Sequence, residues 1–153
     1  MKIKFVWVGK TRDERVRLLE ADYLQRVGHY HRCEVALARA AHDGSDDRRL
    51  EDEGSEIASK VSRESYTIAL HQSGAEMDSI EFSRLLGMLE GGSRKEIVFI
   101  IGGHLGIDRR VLDKADRRLS LSRMTFPHEL CRVLLLEQVY RACSIQSGTP
   151  YHK

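Results

Sequence analysis

The chain has 153 residues, 41% of them hydrophobic and 31% charged, which is the make-up of one ordinary folded domain and excludes a disordered or fibrous polymer. The formal net charge of +2 is too small to demand a nucleic-acid partner by itself. The longest apolar runs, Ile97–Ile101 and Val133–Leu136, fall far short of the ~20 residues of a membrane span, and MKIKFVWVGKTRDE has neither the apolar length nor the cleavage site of a signal peptide.

Ile3–Val8 is an apolar run ending at Gly9 and predicts a first strand. Val16, Leu19, Tyr23 and Val27 recur at helical spacing, so Asp13–Val27 predicts an amphipathic helix. Cys33–Ala38 alternates as a second strand. Residues 40–49, rich in aspartate around Gly44, read as a surface loop, with a helix following at Asp52–Ser62. Tyr66–Leu70 predicts a third strand closed by His71-Gln72-Ser73-Gly74. Asp78 with Glu81 three residues on marks a helix start, and Gly91-Gly92 its stop. Ile97–Ile101, continuous and apolar, suits a central strand buried on both faces. Gly102–Gly106 follows, then a helix capped by Asp108. Leu119–Met124 predicts a fifth strand broken by Phe126-Pro127, and His128–Ile145 is the longest helical pattern. Ser147-Gly148-Thr149-Pro150 turns the chain into the tail Tyr151-His152-Lys153.

Strands alternating with helices imply an α/β domain over residues 1–153, with a mostly parallel sheet and helices on both faces. Neither a repeat nor a linker interrupts it. Ligands in such sheets sit at the carboxyl ends of strands. Three loops leave such ends: His71–Met77, Gly102–Gly106 and Thr125–Pro127. Cys33, Cys131 and Cys143 form no CxxC pair, which points to free thiols and a cytoplasmic location. From His104 onward nine lysines and arginines stand against five acids, while the rest of the chain is negative by two. The basic surplus therefore lies in the last third.

Three segments carry candidate chemistry. IIGGHLG (100–106) suits an adenosine-like group held by main-chain groups, or is only a tight strand–helix turn; it is not the GxGxxG of dinucleotide sites. SLSRMTFPHEL (120–130) delivers hydroxyls, an arginine and a Phe-Pro break to one sheet edge, or is a core strand ahead of a proline-initiated helix. In the last helix, Glu137 and Arg141 at i,i+4 either pair on the surface or join Arg132, Tyr140, Tyr151 and His152 as cations and aromatics for phosphate and base. His29, His31 and Cys33 make an HxHxC pattern with no further ligand motif, and no metal site is assigned.

FIIGGHLG (99–106), SLSRMTFPHELCRVLLLEQVYRACSIQSGTPYHK (120–153) and the closing Pro150-Tyr151-His152 together resemble the RlmH family of SPOUT methyltransferases, along the whole chain. That resemblance implies S-adenosylmethionine as cofactor and methyl transfer to N3 of a pseudouridine in 23S rRNA. It also implies a ribosomal context, a homodimer and a C-terminal trefoil knot, a threading that general topology rules would not suggest. Carried over by position, the donor should meet Leu70, Gly103, and Ser122, Arg123, Met124, Thr125, Phe126 and Pro127. His71 stands where the family usually has an acidic residue, which puts a polar role there in question. For the chemistry, Arg141 and Arg132 are candidates to meet phosphate or a developing anion, and His152 to accept the N3 proton. Tyr151 is a candidate to stack on or hydrogen-bond the target. Glu137 either accepts the proton or orients Arg141. An RNA-binding module without catalysis and a small nucleotide-binding oxidoreductase are the competing readings. Absence of S-adenosylmethionine binding would favour the first; the glycine spacing disfavours the second.

Overall fold

Short runs of strand formers alternating with longer amphipathic stretches become, in a computed structural model describing residues 1–153, five strands and five helices. They are β1 (Lys2–Val8), α1 (Glu14–Gly28), β2 (Arg32–Ala38), α2 (Asp46–Ser59) and β3 (Tyr66–Glu76), then α3 (Ser79–Glu90), β4 (Glu96–Ile101), α4 (Arg109–Lys114), β5 (Arg117–Ser120) and α5 (His128–Gln146). Every strand pair is parallel, in the order β2-β1-β4-β3-β5. The central pair, β1 and β4, is built from the two most apolar runs, and residues 97–101 of β4 are all buried. No helix is long and apolar enough to cross a membrane.

The sheet has a core on each face, as the alternation implied. On one face Phe5 stacks on Phe99 at 5.6 Å between ring centres, and Phe82 of α3 tilts against Phe99 at 6.1 Å. Val27 of α1 and Leu135, Leu136 and Val139 of α5 close that layer. On the other face Val6, Val8, Val98 and Ile100 meet Ile57 of α2 and Leu112 of α4. Each such buried aliphatic or aromatic side chain contributes roughly 1.5–3 kcal/mol.

This division of helices positions the site. The helix after β4 covers the α2/α4 face, whereas those after β1 and β3 cover the opposite one. Chain segments leaving adjacent strands in opposite directions open a crevice at their carboxyl ends. One such crevice lies between β3 and β4.

Three boundaries depart from the sequence reading. The helix expected at Asp52 starts at Asp46, because Ser45 caps it by accepting the Arg48 N–H, and Asp46 and Asp47 suit its positive first turn. The third strand does not stop at Leu70. Leu70 and Ala75 both face Leu119, so the intervening residues arch out as a bulge and pairing resumes through Glu76. The fifth strand spans Arg117–Ser120, two residues earlier than expected, and leaves Leu121–Phe126 as a loop. The caps read at Asp78 with Glu81 and at Asp108 are both present, and Asp13, expected as the first residue of its helix, is its cap.

Candidate active site

Leu70, His71 and Gln72 from the β3 bulge, Ile101–Gly103 and Gly106 after β4, and most of Leu119–Phe126 after β5 converge on one crevice of about 190 Å³. His128 and Cys131 of α5 close its side. The N–H groups of Arg123, Thr125 and Phe126, and of His104, make no hydrogen bond within the protein, while Gly103 and Gly106 bridge each other. Gly102 allows the turn to close: a Cβ there would run into the carbonyl of Gly106, whose own N–H bonds back to Gly103 O at 3.0 Å. Ser122 shapes the opposite loop, accepting Met124 N–H at 3.0 Å on its hydroxyl and Ser120 O–H at 2.9 Å on its carbonyl. Burial pushes the His128 imidazole below its usual range and the Cys131 thiol above its own, so both line the crevice as neutral groups.

Of the residues assigned to the donor from sequence, Leu70, Gly103, Ser122, Met124, Thr125 and Phe126 line this crevice. Arg123 and Pro127 do not. Arg123 projects to solvent from the loop, and Pro127 is exposed and starts α5, its carbonyl accepting Cys131 N–H at 3.0 Å.

A second grouping forms where the C-terminal tail folds back on α5. Arg141 gives two hydrogen bonds to Glu137 Oε1, at 2.6 and 3.0 Å, and Tyr151 O–H gives it a third at 3.0 Å. Glu137 Oε2 accepts from Gln138 at 2.7 Å. With both oxygens engaged, Glu137 holds Arg141 and Tyr151 in place. The Arg141 guanidinium lies 4.9 Å from the Tyr151 ring centre, and the Tyr140 and Tyr151 rings meet edge-on at 4.7 Å. Burial and the Tyr23 and Glu137 contacts push the Tyr151 phenol well above its usual range, so it serves as a donor. His152 Nδ1 lies 3.3 Å from Arg141 Nη1 on the exposed side of the cluster. A guanidinium only donates, so this nitrogen carries the lone pair.

Arg132 corrects the sequence reading. It is wholly buried, bonding Thr11 Oγ1 at 2.8 Å and Val8 O at 2.7 Å beneath the Trp7 ring. A side chain so enclosed meets no RNA phosphate. It ties α5 to the carboxyl end of β1.

The family model described as Predicted SPOUT methyltransferase matches residues 1–152. The chain belongs to this SPOUT methyltransferase family. A Geotalea daltonii protein named Ribosomal RNA large subunit methyltransferase H is 38% identical over 152 residues, covering 99% of each chain. One of the same name from Carboxydothermus hydrogenoformans is 39% identical over 159 residues, covering 100% of each. Among solved structures, a probable methylase family protein from Haemophilus influenzae superposes with TM-score 0.59 at 12% identity, over 99% of this chain and 70% of that one. A probable methyltransferase from Bordetella pertussis gives 0.58 at 10% identity, over 92% and 95%. At those identities the structures speak for the fold alone.

Within this SPOUT frame, His71 answers the question its identity raised. Its Nδ1 accepts the Ser73 N–H at 3.1 Å and lies 2.7 Å from the Ser73 hydroxyl. A carboxylate could accept from the same two groups, so the imidazole keeps the bulge folded without a negative charge. Sequence reasoning missed Ile107, Leu119 and Cys131 as crevice residues; the adjacency of three strand ends to the start of the last helix was their only signal. A larger concavity, about 610 Å³, lies apart, between α2 and α4. Two of its cations, Arg94 and Arg110, are already paired with Asp116 and Asp108.

Proposed function

We propose that this protein is an S-adenosylmethionine-dependent methyltransferase acting on N3 of a pseudouridine in 23S rRNA. It would work in the cytoplasm on the assembled ribosome, as a homodimer of one-domain chains whose C-terminal part is tied in a trefoil knot. The observation that carries this reading is the crevice of unpaired main-chain groups at three parallel strand ends, in a chain that matches its family from end to end. The name shared by the relatives supplies the substrate class.

The residues present fit such a donor. Gly102 lets the turn close where a Cβ would strike Gly106 O, and the free N–H groups suit the acceptor nitrogens of an adenine ring. Pockets for ligands of this size begin near roughly 300 Å³, so the Leu121–Phe126 loop, with Met124 74% exposed, moves outward on binding. The donor, when bound, supplies an electrophilic methyl group on a sulfonium. What remains is to present the acceptor nitrogen, remove its proton and offset the developing negative charge. Arg141, held rigidly by Glu137, is placed to offset that charge or grip a phosphate. His152 Nδ1 has the lone pair for the proton once it parts from Arg141. Tyr151 offers its ring face and edge to a base.

The two groupings do not share one place in a single chain. Glu137 stands six residues beyond Cys131 on α5 and Arg141 ten, about 9 and 15 Å along the axis. A two-fold partner that lays its tail cluster beside this chain's crevice would bring them to one base.

The test is methyl transfer from labelled S-adenosylmethionine to ribosomes of a strain lacking the gene, followed by mass spectrometry of rRNA nucleosides. Appearance of N3-methylpseudouridine is expected. Donor binding without transfer to any rRNA would overturn the substrate, and no donor binding by the folded protein would leave an RNA-binding module.

A further inference from the structure

We propose that Glu53 is a positioning residue for the glycine loop, accepting the main-chain N–H of His104 when the loop closes on its ligand. This rests on the crevice reading above and deepens it. Glu53 lies on α2, one layer behind the crevice, and is 3% exposed. Its Oε1 accepts Ala41 N–H at 3.1 Å, while Oε2 is buried and has no partner. A buried carboxylate oxygen left unpaired is costly, and native folds keep one only where something else engages it.

The candidate to engage it is close. Oε2 lies 3.6 Å from the point a Cβ on Gly103 would occupy. Gly103 is already bridged to Gly106, but the N–H of the next residue, His104, is unpaired. An orphan acceptor and an orphan donor thus lie on neighbouring segments, and a small loop shift would join them. The surroundings hold Glu53 still. The next residue, Gly54, packs so tightly that a Cβ would sit 2.6 Å from that of Asp108, at the foot of the loop. One turn earlier, Arg49 bonds Ala41 O at 3.1 Å and reaches to 3.5 Å from His104 Nε2. Helix α2 therefore grips both ends of the segment Gly103–Asp108 and presents a fixed acceptor behind its middle.

The test is Glu53→Gln, which keeps shape but turns the free acceptor towards a donor. Calorimetry with S-adenosylmethionine should show at least tenfold weaker binding. In the methylation assay KM for the donor should rise by the same factor, with kcat at saturating donor within twofold and KM for ribosomes unchanged. A merely structural role would lower the active fraction, and with it kcat, and leave KM alone. In the wild type, the His104 amide should gain hydrogen-exchange protection when the donor binds, a readout that holds even if the variant fails to fold. An unchanged donor Kd in folded Glu53→Gln, or a His104 amide that stays unprotected in the donor-bound wild type, overturns the proposal. If the wild type binds no donor, the crevice reading itself falls; if it binds and the variant matches it, only Glu53's role falls.

Discussion

Arg132 takes a positive charge into the interior, where Val8 O, Thr11 Oγ1 and the Trp7 ring stand in for water. No carboxylate touches it; the nearest, Glu20, is reached through the Thr11 hydroxyl, which donates to Glu20 at 2.6 Å. Burial pushes the guanidinium below its usual range and the Glu20 carboxyl above its own, so each end of the relay carries a desolvation cost. Removing the guanidinium would strand the Val8 carbonyl and the Thr11 hydroxyl. Arg132→Met should therefore cost about 2–4 kcal/mol in urea unfolding, and leave the donor Kd of the folded fraction within about twofold. A variant as stable as wild type but unable to methylate would restore Arg132 to the chemistry. The sequence held the means to place this residue. Arg132, Leu135, Leu136 and Val139 follow i, i+3, i+4, i+7, the buried stripe of α5. Its charge and its nearness to the tail suggested phosphate instead. Glu53 hid in the same way, one turn before Ile57 on the buried side of α2.

At the scale of elements, the β3 bulge fixes the donor side of the crevice. Gly74 is where it rejoins β5, and a Cβ there would lie 2.5 Å from the backbone of Leu119. Backbone cannot yield as a side-chain tip can, so Gly74→Ala should push the two strands apart. The expected loss is about 1–3 kcal/mol in thermal or urea unfolding, with weaker donor binding in calorimetry because Leu70 and Leu119 both line the crevice. The bulge was illegible locally, since HQSG reads as a turn and only pairing with a distant strand shows that the ladder resumes at Ala75. The caps and the two central strands were legible because their signals are complete within a few residues. The other end of β3 is tied by Asp116, which accepts Thr67 N–H and O–H at 2.8 Å and pairs with Arg94 at 2.8 Å. Burial alone would raise its carboxyl, but the Thr67 bonds and Arg94 together hold it below the usual range. A depressed carboxyl stabilises the fold above its unfolded value near 3.9 and loses that contribution as pH falls through the folded value. The urea midpoint should thus begin to drop below about pH 5 and keep falling as pH passes below the unfolded value, and Asp116→Asn should flatten that part of the profile while lowering the plateau near neutrality. An identical acid slope in the variant would mean other carboxyls carry it.

For the whole molecule, the distance along α5 between crevice and tail bears on whether the proposed site is shared between two chains. The tail cannot simply swing across, because Tyr151 is pinned to Glu137 and packed edge-on against Tyr140, and the Thr149 N–H bonds Ser144 O at 2.9 Å. The cluster is a finished surface presented outward, with His152 at its exposed edge. Along α5 it stands about 9 to 15 Å from the crevice. A mixing experiment separates the two arrangements. One variant, Gly102→Ala, loses the donor turn; another, Arg141→Ala with His152→Ala, loses the tail groups. Each should be nearly inactive alone. If the site is shared across a two-fold axis, mixing equal amounts and allowing subunits to exchange leaves half the dimers mixed. Each mixed dimer then has one crevice and one tail cluster intact on opposite chains, and activity should return to about a quarter of the wild-type rate. If crevice and tail serve the same base within one chain, the mixture stays as inactive as its parts, because every chain carries one broken half.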